Sequence, residues 1–266
     1  MINANKNKLR IWLLVTVLAS AAAGAFRAFL LVNYIEPETG FYVRGTDLGT
    51  VFAIVAAAVL VVAIAAGLKF RKVPAPENLD SKRTAVVFSS ALCAFVYLSV
   101  LVSGLFTVFT SKSTSFFLVI ELLLSIPCIF NHIAICSVEV RKKDSRHALL
   151  AMCGALFFAV RIIEVFMNKN TQINTSQRSL ELVLLCAVMM FLLTEASTLI
   201  TGEFALKNLS KYVASALAVI AMVFIAVIPY LAVSVFWVYR ADFVVMDILE
   251  CCIALYAASR MLTIHD

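Results

Sequence analysis

The sequence predicts an all-α, polytopic membrane protein of eight transmembrane helices, written as two parallel four-helix repeats. Three observations carry this expectation. The first is composition: 63% of the 266 residues are hydrophobic and 14% are charged, with a mean hydropathy of +0.99. A soluble domain is nearer about 45–50% apolar with about a quarter charged. The second is run length. Crossing a hydrocarbon core about 30 Å thick takes roughly 20 apolar residues, and runs of that order recur eight times. The third is charge placement, since lysine and arginine collect on alternate connections.

The runs fall near 11–33, 48–68, 85–110, 115–138, 148–167, 180–201, 212–238 and 243–262. None alternates with a two-residue period, so barrel strands are excluded. In hydrocarbon the backbone must then satisfy its own hydrogen bonds as helix. The first run has a competing reading. Residues 6–23 have a basic start, a short apolar core and small residues resembling a cleavage site. The apolar run continues past them through Phe26 and FLLV, which favours an uncleaved first helix; cleavage leaves seven. Pro127 and Pro229 interrupt the fourth and seventh runs, where neighbouring helices and water can satisfy the freed carbonyls.

Fifteen of the 22 lysines and arginines lie in residues 1–10, 69–84, 139–147, 202–211 and the tail, against five in the opposite connections. By the positive-inside bias both termini are cytoplasmic, and the expected location is a bacterial cytoplasmic membrane. The net charge of +6 is therefore a topology signal rather than affinity for nucleic acid. The seven cysteines all fall in the helical runs, so no disulfide framework is implied, and they read as small apolar packing residues.

An internal repeat is the next expectation. The connections on the less basic side alternate long and short, at 34–47, 111–114, 168–179 and 239–242. FLVIELLLS (117–125) lies over FVVMDILEC (243–251) at an offset of 126, which matches Glu121 to Asp247. SSALCAFVYLSVLVS (89–103) lies over ASALAVIAMVFIAVI (214–228) at 125, and AFRAFLLVN (25–33) over AVRIIEVFM (159–167) at 134, which matches Arg27 to Arg161. The units are then 1–144 and 145–266, equally oriented because each has four helices. Parallel repeats of this kind place binding sites between the halves in some transporters.

Ionisable residues inside apolar runs are the candidate site, because a charge in hydrocarbon is costly unless paired or hydrated. Arg27, Glu121, Arg161, Glu164, Asp247 and Glu250 all fall in the outer half by depth. The economical arrangement pairs each arginine with a carboxylate. One solution joins Arg27 to Glu121 and Arg161 to Asp247. The crossed solution joins Arg27 to Asp247 and Arg161 to Glu121. Glu164, three residues after Arg161 on the same face, competes for it. Four carboxylates outnumber two arginines, and the simplest count leaves Glu164 and Glu250 in excess, to be protonated, hydrated or facing a cation. Toward the other side, Glu195 and Arg260 lie at similar depth and form the inner polar pair. His132 beside Asn131 reads as hydrogen-bonded packing. No cofactor or metal site is expected, since no ligand spacing, phosphate-binding loop or protease motif is present.

VMMFLLTEAS and DILECCIALYAASRML, together with FRAFLLVNYIEPETGFY, resemble a family of multi-pass membrane proteins of clostridial Firmicutes that has no assigned activity. The matching residues are Arg27, Tyr34, Thr39, Gly40, Phe41, Glu195 and Ala196; Ser197 departs from an arginine in the family pattern. The resemblance implies membrane location and no mechanism. The leading functional expectation is non-enzymatic binding or transport of a small cationic solute or a proton between the repeats. The alternative is an accessory subunit whose charges lock helices and whose small-residue patches, AAAGA (21–25) and AIVAAAVLVVAIAAG (53–67), recruit a membrane-protein partner. The lipid bilayer is the partner common to both.

Overall fold

In the computed structural model, residues 2–35, 41–42, 47–72, 84–110, 115–137, 145–167, 176–201, 206–236 and 244–263 are described. The elements are α1 (Ile2–Asn33), α2 (Leu48–Leu68) with a 3-10 turn (Lys69–Lys72), α3 (Thr84–Thr110), α4 (Phe116–Ser137), α5 (Ser145–Met167), α6 (Ser176–Thr201), α7 (Leu206–Met222), α8 (Ile228–Phe236) and α9 (Val244–Thr263). A π-helical turn, Val223–Val227, makes α7 and α8 one continuous span. Among the described residues no strand forms, only an isolated antiparallel bridge between Ile35 and Tyr42.

Among the described residues seven spans are long and apolar enough to cross a membrane: 7–33, 48–68, 84–110, 116–136, 148–167, 177–198 and 209–234. The remaining helix, α9, has 20 residues and is not among these seven, since Asp247, Glu250 and Arg260 fall within its length. Phe95, Phe106, Phe109, Phe116 and Phe130 project outward from α3 and α4. Such a continuous apolar exterior is stable against hydrocarbon and not against water.

The span containing α7 is the centre of the bundle. In its most apolar stretch 72% of the residues are buried, against 28–39% in the other six spans. It packs on α1, α2, α6 and α9, while α3, α4, α5 and α6 follow one another in an arc and α9 closes the bundle against α3 and α7. Small residues let the backbones approach. A side chain at Gly67 would meet the backbone of Ala214, and one at Gly24 would meet the carbonyl of Phe224 in the π turn. The small-residue patches are partly spent inside the chain: Ala56, Ala63, Ala66 and Gly67 of α2, and Ala23 and Gly24 of α1, are buried, while Ala53, Ala57, Ala58 and Ala65 of α2 and Ala22 and Ala25 of α1 face outward.

The internal repeat is not confirmed by this packing. Helices α3 and α7, matched by the 125-residue offset, have different surroundings, and the two sequence units interleave, with α2 on α7 and α3 on α9. The basic connections 73–83, 138–144 and 202–205, together with Thr39 and Gly40, lie outside the described residues.

Candidate functional site

Antiparallel neighbours bring the first turns of α4, α6 and α9 beside the last turns of α5 and α1. This end of the bundle holds every residue of the sequence-predicted outer cluster. The cluster divides in two, around Arg161 and around Arg27.

Arg161 of α5 is buried and donates through Nη1 to Glu164 Oε2, one helical turn along its own helix. The same nitrogen is 4.0 Å from Glu121 Oε1 of α4, beyond hydrogen-bonding distance. Glu164 wins because an i, i+3 pair needs no adjustment between helices. Glu121 is 3% exposed, and its Oε1 has no hydrogen-bond partner among the described residues. Glu164 is also an electrostatic neighbour of Glu121, so two carboxyl groups share the one arginine.

From α9, Asp247 and the buried Glu250 stand within electrostatic reach of Arg161 and of Glu181 on α6. Oδ2 of Asp247 has no hydrogen-bond partner among the described residues. Glu181 is held by Arg178 at 3.2 Å, and Arg178 also donates to the Val165 carbonyl at 2.9 Å, tying α6 to α5. In the sequence Arg178 falls in the 168–179 connection, yet in the structure it belongs to α6 with Glu181, and their i, i+3 spacing in SQRSLEL is the sequence signal of the pair. Five carboxylates from four helices therefore gather about two arginines. The surplus differs from the sequence expectation. Glu164 is paired, and Glu121 and Asp247 carry the unmatched oxygens.

Arg27 corrects a second expectation. No carboxylate pairs with it among the described residues. Its Nη2 donates to Gln177 Oε1 of α6, and its guanidinium carbon lies 5.3 Å from the centre of the Phe52 ring of α2. The physical reason is helix placement. Helix α1 packs on α2 and on the α7–α8 span, whereas Glu121 sits on α4, which packs between α3 and α5.

At the opposite end, Glu195 of α6 is 2.8 Å from Arg260 Nη2 of α9, with Nε donating to the same oxygen at 3.1 Å. The Tyr256 hydroxyl also donates to Oε1, and the Tyr212 hydroxyl of α7 to Oε2, each at 2.7 Å. Both carboxylate oxygens are therefore satisfied, as a deeply buried charge requires. The two tyrosines were not foreseen. His132 stacks on Tyr97 at 5.7 Å and is hydrogen-bonded to Ser90 Oγ through Nδ1 at 2.9 Å, a packing role. Among the described residues no group of three or more metal-ligating side chains forms.

Compared with family models, curated proteins and solved structures, the chain matches none of them.

Proposed function

We propose that this protein binds a small cation or a proton, as a step in moving or sensing it, at the carboxylate cluster formed by α4, α5, α6 and α9. The reading rests on one observation: Glu121 is buried with an oxygen that Arg161 does not reach, because Glu164 occupies that arginine. An unmatched acceptor of this kind is stable with a proton or with a cation, and is costly with neither. Exchange of one for the other is the simplest chemistry such a site performs. In this reading α9 is an eighth crossing, both termini lie on one side, and the charge bias supports a cluster in the outer half of a bacterial cytoplasmic membrane.

The contrast between the two ends favours this assignment. At the Glu195 end every carboxylate oxygen has donors, which is the pattern of a helix lock. At the Arg161 end the charges do not balance. The accessory-subunit reading draws on the Glu195 lock and on the outward small residues of α2, Ala53, Ala57, Ala58 and Ala65, but it gives no account of the unmatched carboxylate oxygens at the Arg161 end.

The test is thermal unfolding of the purified protein in neutral detergent, across pH and with sodium, potassium, ammonium and small amines, for wild type and Glu121→Gln. Saturable stabilisation by a cation in wild type, lost in Glu121→Gln, supports the site. A wild type indifferent to every cation and to pH, melting no differently from Glu121→Gln, refutes it.

A further inference from the structure

We infer that Arg27 and Tyr42 form a second site, separate from the carboxylate cluster, that takes a small oxyanion such as a carboxylate. Arg27 is completely buried, and two of its donors, Nε and Nη1, have no hydrogen-bond partner among the described residues. The Tyr42 hydroxyl is likewise buried and without a partner among them, and Tyr42 is the electrostatic neighbour of Arg27. An unmatched guanidinium donor and an unmatched hydroxyl in one neighbourhood are complementary to an oxyanion, to which guanidinium gives strong charge-assisted hydrogen bonds.

The surroundings hold these groups in place. The Tyr42 backbone is bridged to Ile35, and its ring lies on Gly49 in the first turn of α2, where an added side chain would stand 2.7 Å from the ring. Gln177 holds the remaining arm of Arg27, and the Phe52 face covers the guanidinium. A cation–π contact and one neutral acceptor offset only part of the cost of burying a full charge. An anion supplies the rest. This site has the opposite preference to the Arg161 cluster and does not depend on it.

The experiment is thermal unfolding in neutral detergent at fixed pH and fixed total sodium, comparing acetate, benzoate and inorganic phosphate with chloride. The variants are Arg27→Gln, Arg27→Lys and Tyr42→Phe. At least one oxyanion is expected to raise the wild-type midpoint saturably. Tyr42→Phe should weaken the apparent affinity about tenfold, the loss of one hydrogen bond to a charged ligand, and Arg27→Gln should abolish the response. Should Arg27→Gln not fold, Arg27→Lys, which keeps the charge and loses the fork, must weaken it. A parallel arm places the protein in nanodiscs of phosphatidylcholine with and without phosphatidylglycerol. Stabilisation by phosphatidylglycerol alone, again lost in the variants, identifies a lipid phosphate as the occupant. Equal responses of wild type and Tyr42→Phe to every anion, or no response of wild type in either arm, overturn the inference. Glu121→Gln should leave the anion response intact, so this site and the cation site fail separately.

Discussion

Arg161 and Glu121 stand 4.0 Å apart, nitrogen to oxygen, on adjacent helices, close enough to attract and too far to hydrogen-bond. The arginine is held back by Glu164, to which it donates within its own helix. Removing Glu164 should therefore release Arg161 toward Glu121. In a double-mutant cycle of thermal stability, the coupling between Arg161 and Glu121 is expected to grow by about 1 kcal/mol or more when Glu164 is replaced by Gln, the gain of a close charge-assisted hydrogen bond. Unchanged coupling in the Glu164→Gln background counts against this competition.

The Glu195 network makes a different forecast. Arg260→Met leaves a buried carboxylate without its cation and should destabilise by about 3–5 kcal/mol. Combining it with Glu195→Leu removes the orphaned charge, so the double variant should melt above Arg260→Met alone. Tyr212→Phe removes one hydrogen bond to a charged group and should cost about 1.5–3 kcal/mol. Unfolding in detergent, followed by circular dichroism or differential scanning fluorimetry, reads all three.

Glycine requirements separate by what a methyl group would meet. At Gly24 it meets the Phe224 carbonyl in the π turn, and at Gly67 the backbone of Ala214, neither of which can move alone. Gly24→Ala and Gly67→Ala should each cost about 1–3 kcal/mol by overpacking. At Gly154 the nearest atom is a Leu192 side-chain carbon at 3.3 Å, which can shift, so Gly154→Ala should lie within about 1 kcal/mol of wild type. The order of the three melting temperatures is the check.

Arg161→Gln leaves the surrounding carboxylates without their principal cation. Protonation removes those uncompensated charges, so the stability of this variant should rise as pH falls, relative to wild type. A stability difference from wild type that is constant with pH is the contrary outcome.

The helices were legible because run length alone decides them in hydrocarbon: each apolar run became helix, the seventh drawn from α7, the π turn and α8, and seven of them are long and apolar enough to span. Depth was legible too, since position along a span follows from counting residues, and depth alone placed Glu195 level with Arg260. Rotation about the helix axis was not. Helices that are apolar on every side carry little sign of which face turns inward, so Gln177 could not be seen as the partner of Arg27, nor Tyr212 and Tyr256 as donors to Glu195. The central position of α7 was hidden for the same reason. Gly24 and Phe224, far apart in sequence, explain that burial only once both backbones are in place.

The most direct measurement is infrared spectroscopy of the protein in lipid at neutral pH, in the carbonyl-stretch region of protonated carboxyl groups. The buried Glu121, with its unmatched oxygen, predicts a protonated carboxyl band in wild type that disappears in Glu121→Gln and is displaced when the stabilising cation is added. Wild-type protein with no such band, and a Glu121→Gln spectrum identical to it, would contradict a proton- or cation-binding cluster.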